Sequence, residues 1–89
     1  MTNTENNPIP TVLPSPLPPM LSPDLAALYL SQRHGIPISP KTLAKKRSTG
    51  GGPAFRRFGA RRTVYPVEAL DAWAAEALGP VQRHTNDAA

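Results

Sequence analysis

The first apolar segment of the chain has the spacing and the boundary residues of an amphipathic helix. Three apolar residues fall on one helical face, at positions i, i+3 and i+4: Leu25, Leu28 and Tyr29. The preceding Ser22-Pro23-Asp24 supplies an N-cap, a first-turn proline and an acid that complements the helix dipole. Gly35 ends the pattern, which predicts a helix over residues 23–34 with His34 complementing the dipole in its last turn.

A second segment repeats these boundary signals but contains few apolar residues. Ser39 is predicted to cap a helix that begins at Pro40 and ends at residue 47 or 48. The apolar residues of this helix are chiefly Leu43 and Ala44, and most of its remaining surface is basic. The short connection over residues 35–38 predicts that the two helices cross steeply, as in a helix-turn-helix.

A glycine-rich break at residues 50–53 separates this helix from a predicted two-stranded hairpin. Residues 54–58 and 62–65 have the composition of short strands around a glycine-containing turn. Phe55 and Phe58 are three positions apart, so either the strand contains a bulge or one ring lies outside the core. A basic two-stranded ribbon that projects from a helical body is a wing.

A third helix is predicted to follow the hairpin. Pro66 opens it, apolar residues keep helical spacing to Leu78, and Gly79-Pro80 stops it, with Trp73 assigned to the core and the acids to the polar face. Together these elements predict a mainly α winged helix-turn-helix domain over residues 21–79, made of three helices and a two-stranded wing. Six prolines in residues 1–20 predict an extended, largely disordered arm, and residues 80–89 a flexible tail.

The distribution of charge along the chain indicates the kind of partner that the protein binds. No acidic residue lies between Asp24 and Glu68, and that interval holds nine of the ten Lys and Arg residues. Such an imbalance indicates a polyanionic partner rather than an ordinary solvated surface. Nucleic acid fits better than an anionic membrane, because the basic stretch has no opposite face of large apolar residues.

The sequence offers little for catalysis or for a cofactor. It has no Cys, and His34 and His84 stand fifty positions apart, so we expect no metal, no cofactor and no enzymatic activity. Gly50-Gly51-Gly52 lacks the other residues of a phosphate-binding loop and is interpreted as a flexible joint. Without a long apolar stretch or a leader-like N-terminus, we expect an intracellular soluble protein.

An ordered set of short motifs between residues 21 and 78 resembles one known group of small proteins, the excisionases and AlpA-type regulators with a MerR-like winged helix-turn-helix. The residues that carry the resemblance are Leu21-Ser22, Ala26-Ala27, Tyr29-Leu30, Ser39-Pro40-Lys41-Thr42-Leu43, Gly52-Pro53, Gly59, Arg61-Arg62, Tyr65 and Leu70-Asp71-Ala72-Trp73.

This resemblance implies that the second helix enters the DNA major groove and that the wing lies on the backbone or in the minor groove. It implies DNA contacts from Ser39, Lys41, Thr42, Lys45, Lys46 and Arg47 on the helix, and from Arg56, Arg57, Arg61 and Arg62 on the wing. The group resembles recombination directionality factors, which bind adjacent sites near an attachment site, bend the DNA and direct a tyrosine integrase toward excision of a mobile element. The resemblance therefore implies a bacterial cytoplasmic protein associated with the nucleoid.

Two alternatives to this function stay open. A small transcriptional regulator would use the same domain, and an RNA-binding or protein-binding adaptor belongs to a different class. The arm is hypothesised to mediate head-to-tail self-association along DNA through four apolar residues, Ile9, Val12, Leu13 and Leu17. The alternative is a tail with no role.

Overall fold

The computed structural model describes residues 11–82. Residues 1–10 of the arm, which include Ile9, and residues 83–89 of the tail lie outside the described part. Residues 11–82 form three helices and one three-stranded antiparallel sheet, whose strands are ordered β1-β3-β2. The elements in chain order are β1 (Met20–Leu21), α1 (Pro23–His34), α2 (Pro40–Thr49), β2 (Arg56–Phe58), β3 (Arg62–Pro66) and α3 (Val67–Leu78).

The first two helices begin where the capping residues predict. The Ser22 hydroxyl accepts a hydrogen bond from the backbone N–H of Leu25 at 3.2 Å, and Ser39 accepts one from the N–H of Thr42 at 3.1 Å. At the end of α1, Gly35 adopts the left-handed conformation with φ of 69°, which suits a residue without a Cβ. Local side-chain chemistry therefore fixes these boundaries.

The sheet has one strand more than the sequence predicted. β3 pairs with β2 as the expected hairpin, with Arg56 opposite Val64 and Phe58 opposite Arg62. On its other edge β3 pairs with Met20 and Leu21, which were expected at the end of the arm and the start of the domain. A two-residue strand has no periodicity to detect, because its pairing depends on a partner more than forty positions away in sequence.

Residues 11–19 also differ from the expected free arm. Leu13 and Leu17 are half-buried and pack against the core. The Pro19 carbonyl accepts a hydrogen bond from the N–H of Val67 at 2.9 Å, and the Thr11 carbonyl accepts one from the Gln32 amide at 3.0 Å. Prolines remove backbone donors but leave carbonyl acceptors and neighbouring leucines, so this segment packs without forming a regular element.

One small core joins the helices to the inner face of the sheet. Its buried members come from every helix and from β1 and β3, and are Leu21, Ala26, Ala27, Tyr29, Leu30, Leu43, Tyr65, Leu70 and Ala74. Ala44 is exposed, so Leu43 is the one buried residue of α2. Trp73 is half-buried at the edge of the core, where its indole N–H donates to the Gly51 carbonyl at 2.9 Å.

The two phenylalanines of the hairpin segment take different positions. Phe55 is half-buried against Tyr65, with 6.3 Å between ring centroids. Phe58 leaves 69% of its surface exposed near the end of β2. The second of the two sequence alternatives is therefore correct, since one ring lies outside the core.

Candidate nucleic-acid interface

The exposed surfaces of α2 and of the hairpin (β2, β3 and their turn) carry a dense group of basic side chains. Six of the ten predicted contact residues are exposed Lys or Arg: Lys41, Lys45, Arg56, Arg57, Arg61 and Arg62. In residues 11–82 the only ion pair joins His34 and Asp71, so none of these six cations meets a carboxylate within that part of the chain. The positive charge is left available to an external anion.

Two predicted contact residues form the start of α2. The Ser39 and Thr42 hydroxyl oxygens are 3.0 Å apart, and Ser39 also accepts the backbone N–H of Thr42. Both side chains are exposed. Ser39 therefore has a structural role as the helix cap, which positions Thr42 and the exposed lysines behind it.

The structure gives Arg47 a partner inside the protein. Its guanidinium donates to the Tyr65 hydroxyl at 2.7 Å and lies 5.9 Å from the ring centroids of both Phe55 and Tyr65. Arg47 is half-buried and Tyr65 is fully buried. This residue therefore connects α2 to the hairpin, a role that no local sequence pattern signals.

Lys46 is also drawn toward the domain. Its side chain is half-buried, and a Cβ placed on Gly52 would lie only 2.8 Å from the Lys46 Cβ. The glycine therefore allows the loop after α2 to pass close to this lysine. Gly51, next to Gly52, accepts a hydrogen bond from the Trp73 indole, which anchors the glycine segment to α3. The segment therefore differs from the flexible joint that the sequence predicted.

An open groove brings the predicted helix and wing arginines together. It has a volume of about 290 Å³ and is lined by Ser22, Pro23, Arg47, Arg61, Arg62, Thr63 and Val64. Three arginines and the first residues of α1, at the positive end of its dipole, therefore line one open groove. Its electrostatics favour an anion such as a phosphate group.

A polar cluster between α1 and α3 escaped the sequence analysis. One carboxylate oxygen of Asp71 accepts a hydrogen bond from the Tyr29 hydroxyl at 2.7 Å and lies 2.8 Å from Nε2 of His34. The hydrogen bonds from Tyr29 and then from His34 hold the pKa of Asp71 below its ordinary value. The same hydrogen bond, followed by burial, raises the pKa of Tyr29. His34 thus contacts α3 besides lying in the last turn of α1.

The residues proposed for self-association differ in exposure. Leu13 and Leu17 pack against the protein's own core, whereas Val12 is 76% exposed. Ile9 lies outside the described residues. Of the described members, Val12 alone remains fully available to another molecule.

No protein-family model and no curated protein sequence matches this chain. Residues 11–82 contain no group of three or more potential metal-ligating His, Cys, Asp or Glu side chains. None of the helices in that same part of the chain has both the length and the apolar character needed to cross a bilayer. The basic surface is therefore the feature of the molecule that bears on its function.

Proposed function

We propose that this protein binds double-stranded DNA as a winged helix-turn-helix, with α2 in the major groove and the hairpin as the wing. The observation that carries the proposal is the set of six exposed Lys and Arg side chains on these two elements, none of which has a carboxylate partner in residues 11–82. Duplex DNA presents closely spaced phosphates, which a surface of this charge density complements.

The internal contacts of Arg47 support this assignment. A fixed separation between a recognition helix and a wing lets both bind one duplex with little further ordering cost. The bond from Arg47 to Tyr65 ties α2 to β3, and the bond from Trp73 to Gly51 ties the loop between α2 and β2 to α3. The exposed lysines Lys41 and Lys45, spaced i and i+4, then lie on adjacent turns of one helix.

The role we propose within DNA metabolism is that of an excisionase, which binds adjacent sites near an attachment site, bends the DNA and directs an integrase toward excision. This part of the proposal follows the sequence resemblance. It is physically consistent with the size of the domain, since so small a surface makes few base contacts. Useful affinity would then require neighbouring protomers and a deformable site.

The DNA-binding proposal is tested by salt-dependent binding to a duplex selected from a random library. If about five phosphates are neutralised per protomer, log K should fall against log salt with a slope of roughly −4 to −5. Lys41→Ala with Lys45→Ala should alter sequence preference, whereas Arg61→Ala with Arg62→Ala should weaken all duplexes alike. Arg33→Ala, which removes an exposed arginine of α1, is the matched control and should have a smaller effect.

Two results would contradict the proposal. A slope near −1 would leave the basic surface without a purpose, and single-stranded RNA competing as well as duplex DNA would assign that surface to another ligand. Genome-wide footprinting then separates the two DNA roles. Sites clustered at an attachment site support excision, and sites at promoters would replace it with transcriptional regulation.

A further inference from the structure

Phe58 is exposed, and it belongs neither to the core nor to the hydrophobic residues packed against the core. Full burial of a phenylalanine side chain contributes about 1.5–3 kcal/mol, and the chain obtains part of this from Phe55 but leaves Phe58 69% exposed. A single exposed apolar residue is common on protein surfaces. Whether the exposure of Phe58 has a function therefore depends on which residues surround its ring.

Strand pairing places Phe58 on the outer face of the sheet among arginines. Residues directly opposite each other in an antiparallel pair share a face, so Phe58 lies beside Arg62, and Arg56 lies on the same face two positions away. Buried Tyr65 belongs to the other face, toward the core. The hairpin thus presents one aromatic ring flanked by two cations, next to its turn.

We propose that Phe58 acts as an apolar wedge that enters the minor groove of bound DNA and partly unstacks one base step. This inference rests on the proposed function and extends it to a residue that the charge pattern did not single out. Arg56 and Arg62 would contact the phosphates on either side of the inserted ring. Insertion of apolar side chains between base steps is an established way of kinking DNA by about 20–90°.

The charge around Phe58 favours DNA over a protein groove as the occupant. If the ring entered an apolar pocket of a protein, the neighbouring guanidinium groups would be carried in with it. Removing these charges from water without a charged partner has a high free-energy cost. The minor groove instead places phosphates on both sides of an apolar base stack. Both requirements, for apolar contact and for anions, are then met by one ligand.

The hairpin also has the mechanical support that a wedge needs. Phe58 is held in register by its pairing with Arg62, and β3 is fixed at its base by the buried ring of Tyr65 and by Arg47. Pyrimidine–purine steps unstack most readily. A preference for TA or CA/TG at the position of Phe58 is therefore expected, without any hydrogen bond to those bases.

The experiment uses the full chain and a duplex selected by the wild-type protein, with 2-aminopurine placed at successive steps and fluorophores at both ends. Binding of the wild type should raise 2-aminopurine fluorescence at one step and shorten the end-to-end distance. Phe58→Ala should abolish the local fluorescence rise, reduce the bend and weaken binding about tenfold, with an unchanged salt slope because every arginine remains. Phe58→Leu should retain most of the bend.

Leu78→Ala is the matched control, because it removes another exposed apolar side chain, 57% exposed, at the end of α3. It should change neither signal. Urea unfolding checks that each variant folds, which is expected at these exposed positions.

The outcomes separate this inference from the DNA-binding proposal. Steep salt-dependent binding of the wild type with no unstacked step, or a bend that persists in Phe58→Ala, would overturn the wedge and leave DNA binding standing. If the wild type binds no duplex, the proposed function fails and the wedge fails with it. A Phe58→Ala protein that bends DNA normally but loses self-association in sedimentation would assign Phe58 to a protein contact instead.

Discussion

Replacement of Tyr65 by phenylalanine tests the connection between α2 and the hairpin by removing a single oxygen. The buried ring and its packing remain, and only the acceptor of the 2.7 Å hydrogen bond from Arg47 is lost. Hydrogen bonds to charged groups contribute about 1.5–3 kcal/mol. Because Arg47 is half-buried and water can replace its partner, we expect the free energy of unfolding to fall by about 1.5 kcal/mol, the lower end of that range.

The assay is urea unfolding monitored by the fluorescence of Trp73, the only tryptophan of the chain. For a protein of this size, an m-value of about 1 kcal/mol/M converts the expected loss into a midpoint lower by about 1.5 M. Arg47→Met serves as the partner variant in a double-mutant cycle. In that background Tyr65→Phe should cost less than about 0.5 kcal/mol, because the interaction is already absent.

The same substitution separates a structural role of Arg47 from direct DNA contact. Tyr65→Phe should weaken DNA binding, because the bond that holds α2 to the hairpin is lost. The salt slope should stay unchanged, because the substitution removes no charge. A Tyr65→Phe protein with wild-type midpoint and wild-type DNA affinity would refute the reasoning. Arg47 would then act on DNA directly, and Arg47→Met alone should lower the salt slope by about one.

Two further predictions concern the core and the polar cluster. Leu43→Ala removes the only buried side chain of α2 and should lower the free energy of unfolding by about 2–5 kcal/mol. Because this is comparable to the whole stability of so small a domain, circular dichroism at 25 °C should show a largely unfolded protein. Asp71 has a folded-state pKa below its ordinary 3.8 because of Tyr29 and His34, so its contribution to stability is present above about pH 4 and is lost as the pH falls through that lower pKa. Thermal unfolding between pH 7 and pH 2.5 should therefore depend less steeply on pH in Asp71→Asn than in the wild type, and identical profiles would contradict this.

The helices were predictable because their boundaries are set by neighbouring residues. Ser22 and Ser39 cap within three positions, and Gly35 ends a helix by its own backbone conformation. The strand-like composition on both sides of the Gly59 turn likewise predicted the hairpin, although β2 is shorter than expected and β3 extends to Pro66. These features depend on short-range chemistry that a single sequence displays.

The missed features all depend on residues that are distant in sequence. The partner of Arg47 lies 18 positions away, and Asp71 lies 37 positions from His34. The charge pattern identified the basic surface as a whole but did not separate the exposed lysines from Arg47, since both have the same formal charge. Only the contacts of the Arg47 side chain with Tyr65 and Phe55 distinguish them.

The short strand β1 affects whether the sheets of two copies of this protein can join edge to edge. By pairing with Tyr65 and Pro66 it covers one edge of β3, which leaves β2 as the longer exposed edge. Uncovered strand edges are templates for aggregation, and flanking charges are a common protection. Arg56 and Arg57 occupy two of the three positions of β2, so a second copy aligned there would bring its own arginines against them. Edge-to-edge joining of two sheets is thus opposed in free solution, and this repulsion would weaken wherever phosphates neutralise the four side chains.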